Sequence, residues 1–147
     1  MTPSLMDGYF KNPEATAQVI TQDGWFRTND VCRIDRKGYV SIVGRANSMI
    51  VGPSGENIYP EEIENVLNNH ELVSESLVIM DNGLLTALVC FDQDKFTARV
   101  GKMTGSDEEI KDAIFKDIIA FTNEKVSIFS RIKAVKEIEG GFQKTPT

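Results

Sequence analysis

An aspartate, an arginine and a glycine loop lying between residues 30 and 57 are the groups in this 147-residue chain whose types and spacing suit nucleotide chemistry. Asp30 follows Gly24-Trp25-Phe26-Arg27-Thr28-Asn29. A carboxylate carries two acceptor oxygens and can hold both vicinal hydroxyls of a ribose, but a turn aspartate capping local amides has the same surroundings. Arg45 ends an apolar run beside Gly44. Its guanidinium suits a ribose or phosphate oxygen, and equally a carboxylate on the surface. Gly52-Pro53-Ser54-Gly55 is placed between an expected strand and a helix, which invites a phosphate-binding reading. Two features oppose that reading. No Lys-Ser or Lys-Thr follows the second glycine, and Glu56, Glu61, Glu62 and Glu64 put like charge where a phosphate would sit. What remains is a loop whose glycines let the backbone approach a ligand or another domain, or a simple tight turn. His70, the single histidine, has no serine, cysteine or acid at a recognisable motif spacing and is expected to face the last carbonyls of a helix. No catalytic triad, zinc pattern or dinucleotide fingerprint is present.

Two strands, Val31 to Asp35 and Tyr39 to Gly44, are expected to flank the Arg36-Lys37-Gly38 turn and carry Asp30 and Arg45 at their ends. Arg45-Ala46-Asn47-Ser48 then interrupts the apolar pattern and reads as a joint, after which Met49 to Gly52 resumes it. Upstream, Asn12-Pro13-Glu14-Ala15 predicts an N-cap and a short helix to about Val19. The first 44 residues hold too little apolar surface to offset their own ordering entropy, so they are expected to lean on something else. Downstream, a helix from Pro60 to about Asn69 places Ile63, Val66 and Leu67 on one face. Strands Val73 to Met80 and Leu84 to Phe91 follow, joined by Asp81-Asn82-Gly83, a strong hairpin turn. Ser106 and Glu109 predict a capping box for a helix to about Asn123, with Ile110, Ile114, Ile118 and Phe121 as its buried stripe. A last strand covers Ile132 to Ile138, and Gly140 to Thr147 reads as loop. No element is legible from Asp92 to Gly105. The fold class is α+β: a small, largely antiparallel sheet with helices packed on it, preceded by a β-hairpin segment from a larger missing domain.

The chain is long enough for one real core with a smaller appended piece. A net charge of -6 argues against a nucleic-acid or anionic-membrane surface. Lys125, Arg131, Lys133 and Lys136 read as a solvated face. No apolar run spans a bilayer and MTPSLMDGYF is unlike a signal peptide, so a cytoplasmic location is the expectation. Cys32 and Cys90 are expected to be reduced, buried thiols.

MDGYFKNPEAT, GWFRTND, DRKGYVSIVGR and SGENIYPEEIE, in this order, resemble the closing third of the adenylate-forming ligases, which include acyl-CoA synthetases, luciferases and peptide-synthetase adenylation domains. GENIYPEEIE after GR, with KTPT at the end, looks most like the bacterial long-chain fatty acid-CoA ligases. The resemblance implies that residues 1–46 are the terminal strands of a large AMP-binding domain and 47–147 a mobile carboxy-terminal lid. It implies that Asp30 holds the AMP ribose hydroxyls, that Arg45 assists there, and that Asn47 is the hinge. Gly52, Ser54, Gly55, Glu56 and Asn57 would form the loop that faces coenzyme A. The family's catalytic lysine is expected just after Thr147, so no catalytic residue and no metal ligand is assigned within this chain. Lys144 precedes the Thr-Pro-Thr and is a different residue. The family usually has glycine where Asn29 stands, a position asparagine tolerates at positive φ, and Asp or Lys where Asn47 stands.

The implied reaction has two halves. A fatty-acid carboxylate attacks the α-phosphate of ATP, with Mg2+, to give acyl-AMP and pyrophosphate; the coenzyme A thiol then displaces AMP. ATP or AMP, Mg2+ and coenzyme A are thus the implied ligands of the whole enzyme, with none held tightly by this part, which is expected to be inactive alone. Its implied partners are its own amino-terminal domain, fatty acid and coenzyme A, with peripheral membrane association of the whole enzyme left open. Alternatives are an adenylating enzyme with another acceptor, such as acyl carrier protein, and a freestanding α+β small-molecule-binding module.

Overall fold

The computed structural model describes residues 4–143, and the Lys144-Thr145-Pro146-Thr147 motif lies outside them. The chain forms two compact units that meet in sequence between Asn47 and Ser48.

The first unit starts with helix α1 (Pro13–Val19), where Asn12 Oδ1 accepts the Ala15 amide at 3.0 Å and Pro13 supplies a preset first turn. Strands β1 (Asp30–Ile34) and β2 (Val40–Arg45) pair antiparallel. Their turn is fixed by Asp35, whose Oδ1 accepts the Lys37 amide at 2.8 Å and the Tyr39 amide at 2.9 Å. Only Val43 and Gly44 of this hairpin are buried; Ile34, Val40 and Ile42 are all more than 60% exposed. Cys32 is exposed as well, contrary to the expectation of a buried thiol. The apolar neighbours that suggested burial are themselves uncovered, because a two-stranded ribbon has no second layer of its own to pack against.

The second unit opens with a short hairpin, β3 (Ile50–Val51) and β4 (Asn57–Ile58), followed by α2 (Pro60–Leu67) with Pro60 and two acids in its first turn. Strands β5 (Val73–Asp81) and β6 (Leu84–Phe91) form the long antiparallel pair. Their turn carries Asn82 at φ 49° and Gly83 at φ 78°, the two positive values that a two-residue hairpin loop selects. Helix α3 (Gln93–Val100) occupies the stretch in which the sequence showed no element. Asp92 caps it by accepting the Lys95 amide, and its inner side chains Phe96 and Val100 are only partly buried against the core. Helix α4 (Asp107–Lys125) has the full Ser106–Glu109 capping box. Its buried stripe is Ile110, Ile114, Ile118 and Thr122, with Thr122 in the place expected of Phe121. A 3-10 turn at Ile128–Ser130 leads to β7 (Ala134–Glu137), shorter than the expected Ile132–Ile138 and parallel to β6. Parallel neighbours require a crossover, and α3 and α4 supply it.

The three-stranded sheet runs β5-β6-β7, and α2 and α4 pack against it. Ile63, Leu67, Val78, Ala87, Val89, Ile114, Ile118 and Ile132 form the centre of the core. Asn123 fastens the loop before β7, its amide donating to the Ile132 carbonyl and accepting the Ile132 N–H, each at 2.9 Å. The sheet is largely antiparallel with helices on it, as the hydrophobic pattern predicted.

Glu64 ties α2 to the sheet: its Oε1 accepts the Val78 amide at 2.8 Å. Burial pushes its carboxyl above the ordinary value of 4.5; the Val78 amide pulls it partly back and Glu61 adds repulsion. The folded chain therefore holds this proton more tightly than the unfolded chain. That contribution is fully present below pH 4.5 and is lost as pH rises through the raised folded value. Glu64→Gln retains the acceptor and removes the titration. Relative to the parent, the variant gains stability in urea melts as pH rises above 4.5, and an unchanged difference there would discard this account.

Candidate functional site

Asp30 and Arg45 stand directly across from one another at the open end of the β1–β2 hairpin. The Arg45 Nε lies 3.2 Å from Asp30 Oδ1, with the Asp30 side chain 24% and the Arg45 side chain 66% exposed. Their meeting depends on a β-bulge. Cys32 pairs with Ile42 but Val31 pairs with Gly44, so Val43 is an extra residue on β2. With unbroken register Asp30 would face Gly44; the inserted residue brings Arg45 opposite instead. Asn29 adopts φ 60° immediately before β1, and its carbonyl accepts the Ala46 amide at 2.8 Å, closing the hairpin mouth around the pair. The left-handed turn expected of Asn29 is thus present. Thr28 Oγ1 accepts the Asp30 amide at 3.2 Å and orients the first residue of the strand.

The arrangement combines an acceptor-only group with a donor-only group on one edge. A carboxylate has two acceptor oxygens that suit hydroxyls, and a guanidinium has five N–H donors that suit oxygen ligands. The donor set fits a ribose. The ion pair itself, half in water, contributes at most about 1 kcal/mol to stability.

Asn47 follows in an exposed turn and is the last residue of the first unit. In the second unit, Gly52, Ser54, Gly55 and Glu56 form the loop of the β3–β4 hairpin and Asn57 begins β4. The loop therefore joins two strands, not a strand and a helix as its sequence suggested. Its amides are turned inward: Gly52 N–H donates to the Glu56 carbonyl at 2.8 Å, Gly55 N–H to the Gly52 carbonyl at 2.9 Å, and Ser54 N–H to Glu56 Oε2 at 3.1 Å. A side chain at Gly52 would collide with the Glu56 carboxyl, and Gly55 sits at φ 84°. The glycines serve the loop's own close packing around an acid, which makes it a poor anion cradle and a compact, preformed projection.

His70 does not face the α2 carbonyls. It is buried, its Nδ1 accepts the Leu72 amide at 3.2 Å, its Nε2 lies 3.6 Å from Asp117 Oδ2, and its ring meets Phe121 edge-on. It is a structural residue of the α2–β5 corner. Of the basic residues, Lys136 pairs with Asp81 at 2.6 Å and Lys125 lies over the Phe121 ring. Among the described residues no group of three or more His, Cys, Asp or Glu side chains is placed to hold a metal ion, and no helix is long and apolar enough to cross a membrane.

Ser48 was read as part of the joint and Glu61 as one of the acids opposing phosphate, but their contact was not foreseen. Ser48 Oγ donates to Glu61 Oε1, joining the residue after Asn47 to the first turn of α2. A hydroxyl residue before an apolar run gives no sign of which distant acid it will meet.

A family model described as the AMP-binding enzyme C-terminal domain matches residues 47–139. The chain belongs to this family. As an AMP-binding enzyme C-terminal domain with an added hairpin, it resembles the mitochondrial medium-chain acyl-CoA ligase ACSF2 of Rattus norvegicus, 33% identical over 92% of this chain and 20% of the relative. The long-chain-fatty-acid–CoA ligase FadD15 of Mycobacterium tuberculosis is 36% identical over 63% of this chain and 15% of its own length. Among solved structures, ATP-bound MatB from Rhodopseudomonas palustris superposes with a TM-score of 0.68 at 27% identity, covering 99% of this chain and 26% of that one. The chain spans about a fifth of the length of the curated relatives it matches.

Proposed function

We propose that this chain is the lid and the adjoining terminal strands of a cytoplasmic, ATP-dependent acyl-CoA ligase acting on long-chain fatty acids. Residues 1–46 complete an AMP-binding domain, and the lid begins at Asn47. The observation that carries the reading is the Asp30–Arg45 pair: a carboxylate and a guanidinium 3.2 Å apart, with Arg45 two residues before the start of the AMP-binding enzyme C-terminal domain match. Asp30 accepts the ribose hydroxyls of the nucleotide and Arg45 donates to an oxygen of the same ribose. Asn47 is the hinge about which the lid changes pose, and the Gly52 to Asn57 loop faces the coenzyme A passage in the second pose.

In the first half-reaction the fatty-acid carboxylate oxygen forms a bond to the α-phosphorus of ATP and pyrophosphate leaves, Mg2+ being bound with the nucleotide. In the second, the coenzyme A sulfur bonds to the acyl carbon, AMP leaves, and the thiol proton is released. The exposed apolar face of Ile34, Val40 and Ile42 is the surface that the rest of the AMP-binding domain covers. Long-chain specificity rests on the likeness of Gly55 to Glu64 to long-chain ligases and on the FadD15 relative. The test uses a ligase that carries this chain together with the lysine expected after Thr147, and follows palmitate-dependent ATP–pyrophosphate exchange, then palmitoyl-CoA on adding coenzyme A. Both signals are expected. Exchange that favours octanoate overturns the chain length, and exchange with no coenzyme A thioester overturns the acceptor.

A further inference from the structure

The boundary between the two units falls at one peptide bond, and the first side chain beyond it is already engaged. Ser48 lies in the turn after β2, yet its hydroxyl donates to Glu61 Oε1 in the first turn of α2. Glu61 is followed one turn later by Glu64, which is bonded to the Val78 amide of β5. Ser48, Ile50, Pro60, Glu61, Glu64 and Met80 line one cavity of about 330 Å³ beneath this chain of contacts. Neither Ser48 nor Glu61 is used by the ribose pair or by the glycine loop.

We propose that Ser48 and Glu61 form a clasp that ends the pivot, so that backbone rotation is confined to Ala46 and Asn47 and everything from Ser48 onward moves as one body with α2 and the sheet. The idea deepens the lid reading above and rests on it for the pivot's purpose. Physically, a joint gives two defined poses only if its moving side is rigid up to the joint. A loose Ser48–Ile50 segment would spread the rotation over several residues and admit many poses. Ser48 and Glu61 are therefore positioning residues, acting through the backbone they fix.

Amide hydrogen exchange on the 147-residue chain tests the clasp without any ligase chemistry. The Asn47 amide is expected to exchange rapidly in the parent, and Met49 to Val51 amides slowly, with the Ala46 amide held by the Asn29 carbonyl. Ser48→Ala should speed exchange at 49–51 about tenfold, the loss of one hydrogen bond to a carboxylate, while β5 and β6 core amides stay unchanged. Ser48→Thr, which keeps the hydroxyl, should restore the parent pattern. Unchanged exchange at 49–51 in Ser48→Ala overturns the clasp, as does a uniform acceleration that includes the core strands. A second measurement separates the clasp from its purpose. In a ligase carrying this lid, Ser48→Ala should lower the coenzyme A half-reaction by severalfold more than pyrophosphate exchange. Equal effects on both halves overturn the pivot role, whereas a parent without ligase activity overturns the lid reading and leaves the exchange result standing.

Discussion

Alanine at Asp30 is expected to lower kcat/KM for acyl-CoA formation by about two orders of magnitude in a ligase that carries this chain. The size follows from the bonds at stake. A carboxylate accepting two ribose hydroxyls makes two hydrogen bonds to a charged group, each contributing roughly 1.5–3 kcal/mol, and the partial exposure of Asp30 places the total near the low end. Asp30→Asn keeps one acceptor oxygen and should lose only about tenfold. Arg45→Ala should cost less than Asp30→Ala, because the guanidinium is more exposed and its pairing with Asp30 is a surface interaction. The diagnostic readout is the choice between ATP and 2′-deoxy-ATP. The parent should prefer ATP and Asp30→Ala should not. Equal discrimination in both removes Asp30 from the ribose.

Ile118→Ala destabilises the second unit by about 3 kcal/mol. Ile118 is fully buried in the middle of α4, in line with Ile110, Ile114 and Thr122. Removing its outer carbons leaves a void in a core of this density, and the surrounding strands close it only in part. The urea midpoint should fall by roughly 1–2 M. Far-UV circular dichroism is the suitable probe, since the single tryptophan, Trp25, belongs to the first unit and is exposed. A loss below about 1 kcal/mol would mean that the helix is not close-packed on the sheet. Asp30→Ala, in the other unit, should leave this transition where it is, so the two variants separate chemistry from stability.

The elements that were legible in the sequence are those with a local chemical signature. Ser106 and Glu109 announce α4, Asn12-Pro13 announces α1, and Asn82-Gly83 fixes the β5–β6 turn, because each satisfies backbone groups or unusual φ values within a few residues. Helix α3 escaped because its apolar side is thin: Phe96 and Val100 touch the core without being buried, and the signals that mark it, Asp92 as cap and Arg99 in the last turn, are common in loops as well. The exposure of Cys32 was hidden for the opposite reason. A strand's alternation shows which residues share a face, but not whether anything covers that face. At the candidate site, the resemblance placed Asp30 and Arg45 at one ribose, whereas the ion pair between them was not readable. It depends on the extra residue Val43, and a bulge shifts register without leaving a mark in residue type. Glu56 was weighed as a charge opposing phosphate; that it is the centre around which Gly52 and Ser54 fold depends on a side chain curling back over its own loop.

The parallel joining of β7 to β6 also governs how the second unit is made. On the ribosome, β5 and β6 can zip together as soon as their hairpin emerges, but the other side of β6 has to wait for α3, α4 and the Asn123-fastened loop before its neighbour exists. During that interval an almost wholly apolar strand presents an unpaired edge, the kind of surface that recruits other nascent chains. The last step of assembly is therefore a long-range one. Substitutions that slow the docking of α4 should reveal themselves first as poor yield and inclusion bodies, before any defect in the finished protein is measurable.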